Sequence, residues 1–140
     1  MLLEKEDSWW KSGTIPPNVT AAQCPQHFKS LVLDAPAHSI VIAYFFSPQC
    51  IACRALWPKL MQIAGNNTDS RFIKLNTAER PLTELAMGLG VAKLPWFVIY
   101  SAQTGEELAS FTANLSSISR LRAEIAAAKE CLAPEYTKQW

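Results

Sequence analysis

The sequence predicts an α/β domain, a central mixed β-sheet of four to five strands flanked by four helices. Three observations carry this. Strand-like and helix-like apolar periodicities alternate along the chain. The run 40–46 (Ile-Val-Ile-Ala-Tyr-Phe-Phe) is too uniformly apolar for a strand with one wet face, so it reads as a central strand covered on both sides. Two later β-prone runs, 96–101 and 107–112, flank a turn containing Gly105, which makes an antiparallel hairpin beside strands that helical crossovers force to be parallel.

In chain order, residues 1–18 form an irregular leader: charged, then Trp9-Trp10, Gly13 and Pro16-Pro17. Two adjacent tryptophans bury large areas, so packing is preferred to a ligand platform. A short strand is allowed next. A first helix follows over about 22–33, with Phe28, Leu31, Val32 and Ala35 on one face. Its start is ambiguous, because Thr20-x-x-Gln23 resembles a capping box while Pro25 fits a first turn beginning near Cys24. After strand 40–46, a helix spans about 50–64; Pro58 lies inside it and is expected to kink it. Strand 71–76 comes next, then helix 81–89 with Pro81 at its start and Gly90 beyond its end. The hairpin follows. The last helix, 116–129, carries Ile118, Leu121, Ile125 and Ala128 in register, and Pro134 stops it. The organisation is therefore a leader 1–18, one domain 19–132 and a tail 133–140.

The bulk numbers narrow the function. A chain of 140 residues, 49% hydrophobic and 18% charged, builds one real core and is not disordered throughout. With 13 basic against 12 acidic residues there is no electrostatic case for nucleic acid or an anionic membrane. No apolar run reaches the ~20 residues that span a bilayer. The N-terminus is unlike a signal or transit peptide. Three Asn-x-Ser/Thr triplets, at Asn18, Asn66 and Asn114, read as chance.

The chemistry rests on Cys50 and Cys53, two residues apart at the junction of a buried strand and a helix. A helix N-terminus stabilises a thiolate through its unpaired N–H groups and its dipole. Cys50, at the exposed end, is the expected nucleophile, and Cys53, one turn in, the resolving thiol. The pair itself is the redox group, with no cofactor and no metal. Inert core thiols are the structural alternative. Zinc is another, since Cys24-x-x-His27 and Cys50-x-x-Cys53 have acceptable ligand spacing. A binding or redox-sensing module without rapid turnover is the third. His27 and His38 read as surface groups and Cys131 as a passive thiol.

From about 19 to 129 the chain resembles a thioredoxin. The carriers are the strand, C-x-x-C, Pro58 five residues on, Lys74-x-Asn76, Gly90-Val91 and Leu94-Pro95 before the hairpin. The resemblance implies the thioredoxin fold and a protein-disulfide oxidoreductase. Pro95 would be a cis-proline facing the cysteines. Gln49, Ile51, Leu94, Pro95, Thr112, Ala113 and Asn114 would line the substrate groove. A narrower resemblance is to the atypical Cys/His-rich, or Lilium-type, chloroplast thioredoxins, carried by Trp9-Trp10-Lys11, by the run from Phe46 to Lys59 and by Leu89-Gly90-Val91. It implies a chloroplast location and protein clients with disulfides or dithiols, 2-Cys peroxiredoxins among them; the cytosol is the second expected location, and a monomer is expected. The chain departs from the family pattern at Gln49, where Trp is usual, at Ile51-Ala52, where Gly-Pro is usual, and at Tyr44, where a buried Asp is usual. A phenol with an ordinary pKa of ~10 is a poor base near neutrality. The expectation is that Tyr44 fills space and that the pair is less reducing than in an ordinary thioredoxin.

Overall fold

The computed structural model describes residues 8–132. Its five strands are β1 (Val19–Ala21), β2 (Ile40–Phe46), β3 (Arg71–Asn76), β4 (Trp96–Ser101) and β5 (Glu107–Thr112). The helices are α1 (Pro25–Leu33), α2 (Ile51–Gly65), α3 (Arg80–Gly88) and α4 (Ile118–Cys131). The sheet order is β1-β3-β2-β4-β5. β1 and β2 run parallel to β3, whereas β4 is antiparallel to both β2 and β5. This is the mixed sheet with four helices that the sequence predicts, and the optional strand before the first helix exists.

β2 is buried at every position. Its pleat explains why a uniform apolar run is needed. Ile40, Ile42, Tyr44 and Phe46 enter a core shared with α2 and α4. Val41, Ala43 and Phe45 enter a second core shared with α1 and α3. Either face made polar would strand unpaired groups under a helix.

Several boundaries shift for identifiable reasons. α1 begins at Pro25 rather than at 22, because Cys24 is its N-cap and Pro occupies the first turn. α2 runs through Pro58 without interruption. α4 starts at Ile118, after a 3₁₀ turn at Leu115–Ser117 capped by Asn114. The leader is not wholly irregular: Trp9–Lys11 form a 3₁₀ turn, and Trp9, 6% exposed, packs into the core with its ring against Phe46 and Trp57. The tail beyond Leu132, with Pro134, lies outside the described residues. Asn18 is no glycan acceptor in this fold. Its side-chain amide donates to the carbonyls of Ala64, Asn67 and Ser70, tying β1 to the end of α2. Among the described residues no helix is long and apolar enough to cross a membrane.

Candidate redox site

The topology gathers the predicted site residues at one edge of the sheet. Phe45 pairs with Trp96, and Trp96 pairs with Thr112. The carboxyl ends of β2 and β5 therefore meet the amino end of β4, and the loops at that edge carry Cys50, Pro95 and Ala113-Asn114.

Cys50 closes a turn in which its N–H donates to the Ser47 carbonyl at 3.1 Å. It is the N-cap of α2. Its Sγ accepts from the Cys53 N–H at 3.1 Å, which is the contact that stabilises charge on sulfur at a helix start. Cys50 and Cys53 form a disulfide with Cα atoms 5.2 Å apart. Cys50 is half-buried, Cys53 is fully buried, and Ile51 between them is 84% exposed. One sulfur is thus approachable and the other is shielded.

The Leu94–Pro95 peptide is cis, as the resemblance implies and spacing alone does not. Pro95 is buried, and its carbonyl accepts from Thr112 Oγ1 at 2.7 Å, which fastens β4 to β5 at the site. Gln49 is exposed beside Cys50, and Leu94 is half-buried. Ala113 is buried in the α2/α4 core. The side-chain oxygen of Asn114 caps the 3₁₀ turn by accepting from Ser116 Oγ and the Ser117 N–H. These two residues shape the edge rather than presenting open side chains.

Tyr44 lies beneath the pair. Its hydroxyl donates to the Cys53 carbonyl at 3.1 Å, and its ring stacks on Phe46 and Phe97. Burial pushes the phenol well above the ordinary tyrosine range. It is a neutral brace and cannot serve as a base.

Sequence reasoning missed the strapping of the leader to this site. Trp9 Nε1 donates to the Pro48 carbonyl at 3.1 Å, inside the Ser47–Cys50 turn. Trp57 Nε1 donates to the Ser12 carbonyl at 3.2 Å, and Lys74 Nζ to the Trp10 carbonyl. Lys74 Nζ also lies 5.1 Å from the centre of the Trp57 ring. Burial first, and Lys11 second, hold the Lys74 ammonium below the usual lysine range. Among the described residues Lys74 has no carboxylate in an ion pair. The signals that could have found this were Trp9-Trp10 and Lys74-x-Asn76, both visible without their partners.

The zinc arrangement does not form. Cys24 Sγ accepts from the His27 N–H at the start of α1, and His27 Nδ1 accepts from the Gln23 N–H. Neither joins the Cys50–Cys53 pair, and among the described residues no three His, Cys, Asp or Glu side chains are grouped to hold a metal ion. Cys131 is exposed at the end of α4.

Comparison with known proteins agrees with the geometry. The family model described as Thioredoxin matches residues 19–127. The chain is 34% identical over 122 residues to thioredoxin-like 1-2, chloroplastic, of Oryza sativa subsp. japonica, covering 87% of this chain and 42% of that protein. It is 33% identical over 81 residues to thioredoxin-1 of Schizosaccharomyces pombe, covering 58% of this chain and 72% of that one. Among solved structures, the short form of thioredoxin f from spinach chloroplast superposes with a TM-score of 0.71 at 25% identity, over 84% of this chain and 99% of that one. The chain spans under half the length of the thioredoxin-like 1-2 proteins of Oryza sativa and Arabidopsis thaliana that it matches.

Proposed function

This chain belongs to the thioredoxin family, and from that premise we propose that it is a protein-disulfide oxidoreductase with Cys50 as nucleophile and Cys53 as resolving thiol. The observation that carries the proposal is the asymmetry of the pair: Cys50 is approachable and capped by an N–H, while Cys53 is fully buried one turn behind it.

In the reduced protein the Cys50 thiolate attacks one sulfur of a client disulfide. A Cys50–client S–S bond forms, the client's own S–S bond breaks, and the departing thiolate takes up a proton. The Cys53 sulfur, after losing its proton, attacks Cys50 Sγ. The intramolecular disulfide forms and the second client thiolate leaves. Two electrons have passed to the client. The reverse sequence oxidises a client dithiol. Thr112, through the Pro95 carbonyl, holds the edge along which an extended client segment lies, and the Leu94 backbone and the side chains of Gln49 and Ile51 face it.

The pair is less reducing than in an ordinary thioredoxin. Tyr44 supplies a neutral phenol beneath Cys53, and the half-buried Lys74 ammonium on the same sheet face favours thiolate over disulfide. The names of the chloroplastic relatives support a chloroplast location. There the protein acts as a monomer on protein clients of the 2-Cys peroxiredoxin kind.

Insulin reduction driven by dithiothreitol tests the activity: a rate above background is expected, and a rate equal to background overturns it. Cys53→Ser charged with a chloroplast extract should retain clients as mixed disulfides on Cys50. A redox titration should give a potential above the ~−270 mV of thioredoxin; a value at or below it refutes the less-reducing assignment.

A further inference from the structure

A second pocket lies at the same edge of the sheet. It is bounded by residues at the carboxyl ends of β1, β2 and β3 (Ala21, Phe46, Lys74 and Asn76) and by the 3₁₀ turn of the leader, and holds about 280 Å³. The crevice outside the carboxyl ends of parallel strands is where α/β sheets hold ligands. Phe46 in its wall is four residues before Cys50. We propose that this pocket receives one carboxylate side chain, Asp or Glu, of the client segment presented to Cys50, held between Lys11 and Lys74. The proposal rests on the oxidoreductase reading and names a feature of its clients.

The charges select this guest. Lys11 and Lys74 contribute two positive charges and Glu79, also in the lining, one negative. The sum is one positive charge, which a single carboxylate neutralises. A phosphate dianion would overshoot and meet Glu79 as well. The Lys74 ammonium has three N–H donors. One goes to the Trp10 carbonyl, and the Trp57 ring covers another side of the group. A donor remains for a guest, and a partly buried cation with no carboxylate partner among the described residues is stabilised by acquiring one. Asn76 Oδ1 accepts from the Ala78 N–H at 2.9 Å, so the end left to donate is its NH₂. The rings of Trp10 and Phe46, 5.9 Å apart, give the pocket an apolar wall that strengthens a charged hydrogen bond made against it. The pocket is open, which suits a side chain arriving on a protein segment.

The test uses disulfide-bonded peptides of one sequence in which a single Glu is walked through the positions flanking the cysteine, each with a Gln counterpart. Reduction by the whole protein is followed at low and moderate salt. At one position the Glu peptide should exceed its Gln counterpart about fivefold in kcat/KM, through KM, and lose the advantage as salt rises. Lys11→Gln should abolish the preference for Glu over Gln, and Lys74→Gln should abolish it too. Equal kinetics for Glu and Gln at every position, with the peptides still reduced, overturns the pocket assignment. So does a preference that survives both lysine variants, or a phosphoserine peptide that outperforms Glu. No reduction of any peptide strikes at the oxidoreductase reading itself.

Discussion

Tyr44→Phe separates a brace from a proton relay. The substitution deletes one hydroxyl and keeps the ring that stacks on Phe46 at 5.4 Å and on Phe97 at 5.3 Å. What is lost is a single bond, 3.1 Å long, to the Cys53 carbonyl. That length is at the weak end for a hydroxyl donor. The acceptor is a carbonyl in the first turn of α2, which keeps its place in the helical ladder, so no buried group is orphaned. A net hydrogen bond of this kind contributes about 1 kcal/mol. With a urea slope of about 2 kcal/mol/M, the unfolding midpoint of the oxidised protein should fall by about 0.5 M. Because a neutral phenol becomes a neutral phenyl, the redox potential and the pH–rate profile of insulin reduction should not move. A profile displaced by about one pH unit, or a rate lowered about tenfold at unchanged stability, would show that Tyr44 handles a proton and refute the brace.

Two further tests address the scaffold. Asn18→Ala removes donors to three carbonyls at 2.9–3.0 Å and should cost about 2–3 kcal/mol in chemical denaturation. Asn18→Asp should cost more, since a carboxylate would face those same carbonyls; an equal or smaller loss would mean that the amide is not donating there. At alkaline pH the buried phenols of Tyr44 and Tyr100 stay protonated above the ~10 at which unfolded tyrosines ionise. The unfolded chain then binds fewer protons, so their contribution is complete below pH ~10 and is lost as pH rises further. Lys74, displaced in the opposite direction, adds a gain as pH approaches 10, so the tyrosine effect is read as a difference between variants. Tyr44→Phe should flatten the decline in urea midpoint between about pH 9.5 and 11; an unchanged slope would contradict the burial of its hydroxyl.

Much of the fold was legible because its strongest signals are local. The uniform run of β2 and the spacing of the β4–β5 hairpin define those strands to the residue. β1 is short and half-buried, and it is held by pairing with β3 rather than by its own pattern. The Cys50–Cys53 site was legible because both residues and the helix start lie in one segment. The contacts of Trp9 with Pro48 and of Lys74 with Trp10 join residues 39 and 64 positions apart. No periodicity encodes such pairs. Ala113 and Asn114 follow β5 at the Cys50 edge of the sheet, where the need to close the core and cap the turn before α4 decides what their side chains do.

The same long-range contacts bear on the direction in which the pair works. With Cys53 as the proposed resolving thiol, the resolving step needs its proton to leave a fully buried sulfur. The polar side chain bonded to that residue is a phenol already donating to the Cys53 carbonyl, so it is no acceptor for this proton near neutrality. The Lys74 ammonium, on the same sheet face as Tyr44, is anchored to the leader through Trp10 and lies against the Trp57 ring. On the proposed assignment, attack by Cys50 would be favoured by its cap, whereas release by Cys53 would wait for solvent or the client to take the proton. A pair with fast capture and slow release holds each mixed disulfide longer. On that assignment the pair would depend on client contacts beside the cysteines, for which the Lys11–Lys74 pocket and the Leu94–Pro95 edge are the proposed sites.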